Sequence, residues 1–257
     1  MLLFVPQQLR GPLHAYATGQ LVERLCAAAA VDGVHLVQVL LDAHGEDVRQ
    51  LLASCGFVDL AELLYLHTNP GRPIRDPELP PRCEWIAYSE QEHHLFARAI
   101  VATYQQSLDC PRLNGLREVE DIIAGHKATG EFDPSRWLLL RQTGRTLGVL
   151  LLAVVPQTDA MELVYLGLDP EFRGRGIGDI LMRRALYETS VARRSRLSLA
   201  VDANNTPALK LYWRHGMQAL GRKLAMMRNL RSVQVQLGPA AQAPLAADSS
   251  DSLPQLR

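Results

Sequence analysis

Apolar residues between positions 83 and 229 recur with two different periods. Short, nearly continuous apolar runs indicate strands, whereas apolar spacings of three to four residues indicate amphipathic helices. Strands are predicted at 83–89, 136–142, 146–155, 161–168, 196–202 and 217–229, the last as one or two strands. Helices are predicted at 89–107, 119–130, 178–193 and 206–216. The order of these elements predicts an α/β fold in which helices flank a mixed central sheet.

Two stretches interrupt this pattern and suggest domain boundaries. Residues 67–84 hold five prolines and a Pro-Gly turn, which is typical of a linker. Residues 231–257 contain no aromatic side chain and are rich in Ala, Gln, Ser and Pro, so they bury too little apolar surface to offset the entropy of ordering. We therefore predict a linker over 69–83, a catalytic domain over 84–230 and a disordered tail over 231–257.

Charge and cysteine content exclude several classes of partner. The chain has 27 basic and 27 acidic residues, so no overall basic field favours nucleic acid. Cys26, Cys55, Cys83 and Cys110 form no CxxC pair, which predicts reduced thiols and no metal site. The longest apolar stretch, 147–155, is too short to span a membrane. A cytoplasmic protein without a membrane partner is expected.

A glycine-rich turn precedes the helix predicted at 178–193. Such a turn exposes backbone N–H groups and the positive end of the helix dipole, and so favours an anion such as phosphate. A Walker A loop is excluded because GxxxxGK[ST] is absent. A dinucleotide-binding fingerprint is the second alternative, with Asp202 in the place of its acidic residue. It is disfavoured because Asp179 stands where its third glycine belongs. The turn consists of Arg173, Gly174, Arg175, Gly176, Ile177 and Gly178.

This turn matches (Q/R)xxGx(G/A), the acyl-CoA pyrophosphate loop of the GNAT superfamily of N-acyltransferases. Further along, "NNTPALKLYWRHGM" resembles the family's N-x-x-A-x-x-L-Y-x-x-x-G-F motif. The two motifs stand in the family's order, and the resemblance covers about 84–229. It implies the GNAT fold, acetyl-CoA as co-substrate and transfer of an acetyl group to a primary amine of a small molecule or protein. The matching residues are Asn205, Ala208, Leu211, Tyr212, Gly216 and Met217.

The resemblance also implies catalytic roles for two side chains. Glu162 begins a strand similar to the family's E-[IV]-V-F-C-A-I strand, in which the glutamate is the general base. In other members the base lies on the next strand, at the position of Ala200 here, and this chain cannot use that route. Tyr212 is implied as the acid that protonates the leaving thiolate. The alternatives are a solvated strand-end glutamate and a tyrosine that only packs in the core.

The same resemblance assigns the cofactor-binding residues. The backbone N–H groups of residues 173–178 are expected to bind the pyrophosphate, with Arg175 as a further phosphate contact. Asn205 is expected at the cofactor and could also cap the helix that follows. A backbone N–H near Leu166 and Leu168 is implied as the oxyanion donor, where the strand bulges from its neighbour and pairs with pantetheine.

An internal comparison changes the interpretation of the first part of the chain. Shifted by 160 positions, residues 38–57 lie ungapped over 198–217 and pair Asp42 with Asp202. We therefore predict that residues 1–68 form a degenerate GNAT-like half domain, a partial repeat of the fold that follows. The alternative is a chance likeness between two strand-helix-strand units. Because Gly45 and Leu52 replace Asn205 and Tyr212, this half is expected neither to bind CoA nor to catalyse a reaction.

The segment 103–137 is expected to cover the acceptor cleft. Asp109 or Glu118 could attract a cationic amine there. A non-catalytic acyl-CoA sensor, with the first half as a partner or homodimer surface, is the alternative function, and an NAD-dependent dehydrogenase is a more distant one.

Overall fold

The computed structural model describes residues 1–42, 45–71 and 74–231. The tail predicted over 231–257 therefore lies outside the described residues, apart from Arg231. The helices are α1 (Pro12–Val31), α2 (Glu46–Ser54), α3 (His93–Tyr104), α4 (Val119–Lys127), α5 (Ile177–Val191) and α6 (Thr206–Arg214). The strands are β1 (Leu36–Asp42), β2 (Val58–Thr68), β3 (Cys83–Ala87), β4 (Glu131–Gln142), β5 (Arg145–Val155), β6 (Ala160–Leu168), β7 (Arg196–Asp202) and β8 (Gln218–Asn229). No described helix is long and apolar enough to cross a membrane.

Every element predicted between 83 and 229 is present, in the predicted order. The bounds of β7 are those predicted, and 217–229 forms one strand rather than two. The helix predicted from 89 begins only at His93, because Ser89 first closes a turn in which its carbonyl and hydroxyl oxygens accept from the N–H of Glu92. The prediction of a mixed sheet flanked by helices is confirmed.

One eight-stranded sheet organises the described residues, in the order β1-β8-β2-β7-β6-β5-β4-β3. All neighbouring strands are antiparallel except β6 and β7, which are parallel. Helices cover both faces, so the interior strand β5 is buried almost throughout. Its Leu150 and Leu152 pack in the cluster that contains α5, whereas Val149 and Leu151 pack in the cluster that contains α3 and α4. This two-sided burial explains the continuous apolar run of β5.

The parallel strands β6 and β7 pair over only part of their length. Their ladder runs from Ala160 with Arg196 to Glu162 with Ser198 and then ends. Beyond this point residues 163–168 and 199–202 diverge, which leaves backbone N–H and C=O groups on the facing edges without strand partners. The sheet therefore has a gap between β6 and β7 beyond Glu162 and Ser198.

The N-terminal elements repeat the C-terminal ones at an offset of 160 residues. Leu36–Asp42 corresponds to Arg196–Asp202, and Glu46–Ser54 corresponds to Thr206–Arg214. The sheet registers follow the same offset, because Asp42 pairs with Lys223 as Leu63 pairs with Asp202. Leu63 and Lys223 are themselves 160 positions apart and pair with each other, so this pair maps onto itself. A local two-fold axis therefore passes through the β2–β8 ladder.

This arrangement qualifies the predicted domain boundaries. Strand β2 lies between β7 and β8, so the predicted domain 84–230 shares two ladders with residues 58–68. The described part of the linker 69–83 forms no helix, and its Ile74 and Leu79 pack against the core beneath α5. The sheet hence continues across the boundary at residue 68. The interpretation of 1–68 as a degenerate GNAT half stays a prediction.

Candidate active site

A cavity of about 480 Å³ lies where β6 and β7 diverge. The two strand edges, the glycine-rich turn, α6 and the segment after α3 surround it. The strands contribute Leu163, Val164, Tyr165, Leu166, Gly167, Leu168, Leu199, Ala200 and Val201, and the other elements contribute residues such as Asp109, Arg173, Gly174, Gly176, Gly178, Asn205 and Tyr212. Most of the residues that the sequence motifs singled out are thus brought to one site.

Two glycines of the turn are required by backbone conformation. Gly174 has φ +72° and Gly176 has φ +78°, a left-handed region that residues with a Cβ rarely adopt. A Cβ at either position would meet no atom within 4 Å, so the space beside them is open. Gly176 caps the N-terminus of α5, whose first N–H groups lack intrahelical partners. This geometry fits a bound anion.

The last two residues of the motif pack inside the protein. Ile177 is 9% exposed and belongs to the core, so its backbone rather than its side chain can contact a cofactor. A Cβ on Gly178 would lie 3.1 Å from a methyl group of Leu211. Gly178 therefore allows α5 and α6 to approach closely.

The guanidinium of Arg173 is engaged with backbone carbonyls. Its Nε donates to Leu168 O at 3.2 Å, and one terminal nitrogen donates to Gln106 O at 3.0 Å. The other donates to Thr103 O at 2.9 Å and Gln105 O at 2.7 Å. Arg173 therefore joins the glycine-rich turn to the end of α3. Its side chain therefore positions the turn, and cofactor binding by Arg173 stays a prediction.

Arg175 is exposed, and its guanidinium carbon lies 5.7 Å from the centre of the Phe172 ring. It is not among the residues that line the cavity, whereas Lys210 and Arg214 are. Arg214 pairs with Asp179 in the first turn of α5, next to the glycine-rich turn, and Asp179 lines the cavity as well. Arg175 as a phosphate contact stays a prediction.

Strand β6 carries a β-bulge against β5. Leu151 pairs with Tyr165 and Leu152 pairs with Leu163, so Val164 is the additional residue. Leu166 and Leu168, near which the oxyanion donor is predicted, lie where β6 has no ladder with β7, and this role stays a prediction. A bulge turns the local direction of the strand, and this one coincides with the start of the divergence from β7.

Tyr212 combines burial with an unpartnered hydroxyl. The residue is 7% exposed and lines the cavity, and its hydroxyl has no hydrogen-bond partner among the described residues. Burial raises the pKa of Tyr212, and the negative charge of Asp109 raises it further. The phenol therefore keeps its proton over the physiological range, which a general acid requires.

Asn205 begins α6 and so fixes the position of Tyr212. Its Oδ1 accepts a hydrogen bond from Ala208 N at 3.3 Å, which is the capping arrangement considered from the sequence. Asn205 also lines the cavity. Its helix-capping role is observed, and its contact with a cofactor stays a prediction.

Glu162 lies at the last pair of the β6–β7 ladder. Its carboxylate accepts a hydrogen bond from the hydroxyl of Ser198. Burial raises the pKa of Glu162, and the Ser198 hydrogen bond opposes part of this rise. Glu162 is not among the residues that line the cavity, although the adjacent Leu163 is. It therefore stands at the closed end of the opening between the strands.

An aromatic cluster, which the sequence did not reveal, lies behind the cavity residue Tyr165. Tyr165 stacks on His126 with ring centres 5.4 Å apart and meets Tyr104 edge-on at 5.5 Å. Its hydroxyl bonds to that of Thr103 at 2.8 Å. Burial, with help from the charge of Arg117, lowers the pKa of His126 to about 4, so this ring is neutral near pH 7. Only the pattern of strand β6 marked Tyr165 in the sequence, as an apolar position.

Asp109, which the sequence marked as a possible acceptor contact, forms a pair with Asp202 that the sequence did not predict. Asp109 lines the cavity and accepts a hydrogen bond from Asp202 N at 3.0 Å. Asp202 in turn accepts one from Cys110 N at 3.2 Å. Within the described residues, no group of three or more His, Cys, Asp or Glu side chains could hold a metal ion.

Comparison with known proteins assigns a class to this fold and site. Residues 100–217 match the acetyltransferase (GNAT) family. The chain therefore contains an acetyltransferase domain of the GNAT family. The match includes β6, the glycine-rich turn and α6, which are the elements that build the cavity.

Several curated relatives are named mycothiol acetyltransferases. The chain is 26% identical to the protein from Thermomonospora curvata over 206 residues, which are 80% of this chain and 60% of the relative. It is 37% identical to the protein from Gordonia bronchialis over 183 residues, which are 68% of this chain and 58% of the relative. The chain thus spans about three fifths of the length of the relatives it matches.

Solved structures agree on the fold. A GCN5-related N-acetyltransferase from Sphaerobacter thermophilus superposes with a TM-score of 0.56 at 20% identity, over 76% of this chain and 60% of that one. One from Kribbella flavida gives a TM-score of 0.56 at 15% identity, over 83% and 76%. At these identities the similarity shows the fold alone.

Proposed function

We propose that the chain is an N-acetyltransferase that transfers an acetyl group from acetyl-CoA to a primary amine of a small molecule or protein, by direct attack in a ternary complex. The observation that carries this proposal is the unpartnered hydroxyl of Tyr212 in a cavity between diverging strands. The match of residues 100–217 to the acetyltransferase (GNAT) family supports it.

Two features of the cavity suit acetyl-CoA. The turn around Gly174 and Gly176 has open space beside it and precedes the N-terminus of α5, where a pyrophosphate is favoured. Arg214, which pairs with Asp179 in the first turn of α5, lines the same cavity. The unpaired edge of β6 at residues 163–168 offers backbone groups to the amide-containing pantetheine arm. The thioester would then reach the side of the cavity that Tyr212 lines.

The reaction needs a proton acceptor and a proton donor. The amine nitrogen forms a bond to the thioester carbonyl carbon, and the carbonyl oxygen becomes an oxyanion that a backbone N–H of β6 stabilises. Glu162 takes the amine proton, directly or through water. The C–S bond then breaks, and Tyr212 donates its proton to the thiolate. The raised pKa of Glu162 suits a base that acts near neutral pH, and the raised pKa of Tyr212 keeps the phenol protonated until the thiolate forms.

The experiment that tests the proposal separates binding from transfer. Calorimetry measures acetyl-CoA affinity, and mass spectrometry together with thiol release measures transfer to a panel of primary amines. The panel includes the acceptor of the mycothiol acetyltransferases, because the matched relatives carry that name. Binding without transfer to any amine would replace the enzyme with the acyl-CoA sensor. A cytoplasmic location and a homodimer stay predictions.

A further inference from the structure

The inference concerns residues 1–5, which extend the sheet beyond β1. Leu2 pairs with Gln38 of β1 in a parallel bridge, and Leu3 N donates to Gln38 O at 2.8 Å. Because successive backbone groups of a strand point to opposite edges, the N–H and C=O groups of Leu2 and Phe4 point away from β1. No described residue donates to these groups or accepts from them. An unpaired strand edge of this kind is a template for another strand.

Another part of the same chain shows what covers such an edge. At the offset of 160 residues, the bridge formed by Leu2 corresponds to the parallel pair formed by Glu162 in β6. Residues 1–5 therefore correspond to β6. The other edge of β6 pairs antiparallel with β5, whereas no described residue pairs with the other edge of residues 1–5. The neighbour that this edge can take is an antiparallel strand.

Helix α1 leaves uncovered the face that corresponds to the β5-facing side of α5. Leu21 is 57% exposed and Leu25 is 41% exposed. Their counterparts Leu181 and Ala185 are both 0% exposed, because α5 packs in one core cluster with β5. Among the exposed residues of α1, Arg24 alone carries a charge. An outer face this apolar is typical of a helix that is buried by a neighbour.

The edge also lacks the charge that the opposite edge of the sheet carries. Strand β3 forms that opposite edge and holds the exposed Glu84, and a charged side chain there opposes pairing with another strand. Residues 1–6 contain no charged side chain, and Phe4 is 85% exposed. Pro6 has no N–H and so ends the edge that a partner strand can follow.

We propose that residues 1–5 pair with the same residues of a second copy of the chain, as antiparallel strands around a two-fold axis at Leu3. The axis places Leu2 opposite Phe4 of the second copy, so the outward N–H and C=O groups of each copy bond to those of the other. The side chains of these two residues also meet, as an apolar cross-strand pair. A contact between identical patches closes on itself, which yields a dimer and no longer assembly.

The two α1 helices then lie side by side on one face of the joined sheets. Each helix packs in a cluster with Leu3 and with Val37 and Val39 of β1, so it covers two strands. Strands lie about 4.8 Å apart and a helix is about 10 Å wide, so the two helices fit over the four strands at the contact. Leu21 and Leu25 of each copy then face the other copy and leave the solvent.

Sedimentation equilibrium of the full chain tests the proposal, and a dimer is the expected mass. Leu21→Glu places a carboxylate in the apolar contact and is expected to raise the dissociation constant about a hundredfold. Leu21 is exposed in the monomer, so this change is expected to act on association and not on the fold, which circular dichroism checks. Leu220→Glu is the matched control, because Leu220 is 59% exposed on β8, and it should leave the dissociation constant unchanged.

A second pair of variants tests the strand pairing itself. Phe4→Pro removes an N–H that bonds to no described residue, so each copy keeps its own hydrogen bonds while the dimer loses some. Phe4→Ala is its control, because it removes the same ring and keeps the N–H. The dissociation constant of Phe4→Pro is expected to exceed that of Phe4→Ala by about tenfold.

Three results would overturn the inference. The first is a monomer at every accessible concentration, and the second is a dimer that Leu21→Glu leaves intact or that Leu220→Glu weakens equally. The third is an equal dissociation constant for Phe4→Pro and Phe4→Ala, which would show that no strand pairing joins the copies.

Discussion

The strand-helix-strand unit that begins at residue 36 and the one that begins at residue 196 match in element bounds and sheet register but differ in chemistry. In the C-terminal half the N-cap Asn205 and the cavity residue Tyr212 lie on α6. Their counterparts on α2 are Gly45, which makes no side-chain cap, and Leu52, which is fully buried in the core. The strand-helix-strand unit with α6 therefore contributes residues to the cavity, whereas the unit with α2 only packs in the core. The architecture alone therefore does not create the site.

The loops before the first helix of each half differ in the same sense. In the N-terminal half, Leu9 N donates to the carboxylate of Asp47 at 3.0 Å, and Arg10 N donates to His14 Nδ1 at 2.9 Å. Side chains of the protein thus occupy backbone donors there. These two N–H groups of the N-terminal loop are therefore not available to a ligand, although the loop also has open space beside Gly11.

The largest expected effect comes from an acidic residue in the glycine-rich turn. Gly176→Glu places a carboxylate where the phosphates of acetyl-CoA should lie, and we expect calorimetry to detect no binding. Gly11→Glu is the matched control, since Gly11 caps α1 with φ +93° and also has open space beside it. Both changes strain the backbone by about 1 kcal/mol, so only Gly176→Glu should abolish binding. Equal loss in both variants would attribute the effect to strain.

The next effect concerns the base. Glu162→Gln is expected to lower kcat by about a hundredfold or more, the usual contribution of general base catalysis. A base acts when deprotonated, so the activity of the wild type should rise with pH through the pKa of Glu162, which burial raises above its usual range. The variant should lose this acidic limb in a profile of kcat/KM against pH. If the acidic limb of the pH profile is unchanged in Glu162→Gln, a group other than Glu162 causes it.

Tyr212→Phe should reduce kcat by about a hundredfold while acetyl-CoA affinity changes little, because the ring still packs in the core and only the proton donor is lost. Steady-state kinetics and calorimetry measure the two quantities. Tyr187→Phe is a suitable control, since Tyr187 lies on α5 beside Arg184 and does not line the cavity. Unchanged turnover in Tyr212→Phe would remove the phenol from the chemistry and make the two halves alike in this respect.

The sequence predicted the elements of residues 83–229 because apolar periodicity is a local property. It could not predict that β2 enters the sheet between β7 and β8, because strand pairing depends on contacts between distant residues. The motif likewise marked Arg173 but not the carbonyls that its guanidinium holds. The hydrogen bond between Asp109 and Asp202 joins residues 93 positions apart, and no local pattern indicates it.

The first helices of the two halves differ in how much of their surface is covered. At the 160-residue offset Val22 and Met182 are both buried, but Leu21 is 57% exposed while Leu181 is 0% exposed. Leu181 lies against β5, where a Cβ on Gly148 would come within 2.9 Å of it. Leu181→Ala is therefore expected to lower the free energy of unfolding by about 2 kcal/mol or more. Leu21→Ala should change it by less than about 0.5 kcal/mol in urea unfolding.

The smallest effect concerns the caps of α6 and α2. Asn205→Ala removes the acceptor for Ala208 N and should destabilise the protein by about 1 kcal/mol. Gly45 stands at the equivalent N-cap with φ −89°, which a residue with a side chain adopts without strain, and a Cβ there would lie at ordinary contact distance from Asp42 O. Gly45→Asn should therefore stabilise the protein by only a few tenths of a kcal/mol, roughly the difference between these N-caps. Thermal unfolding measures both changes. If Asn205→Ala also weakens acetyl-CoA binding and Gly45→Asn creates none, the asparagine serves as a cap in either half but as a ligand contact only beside the open turn.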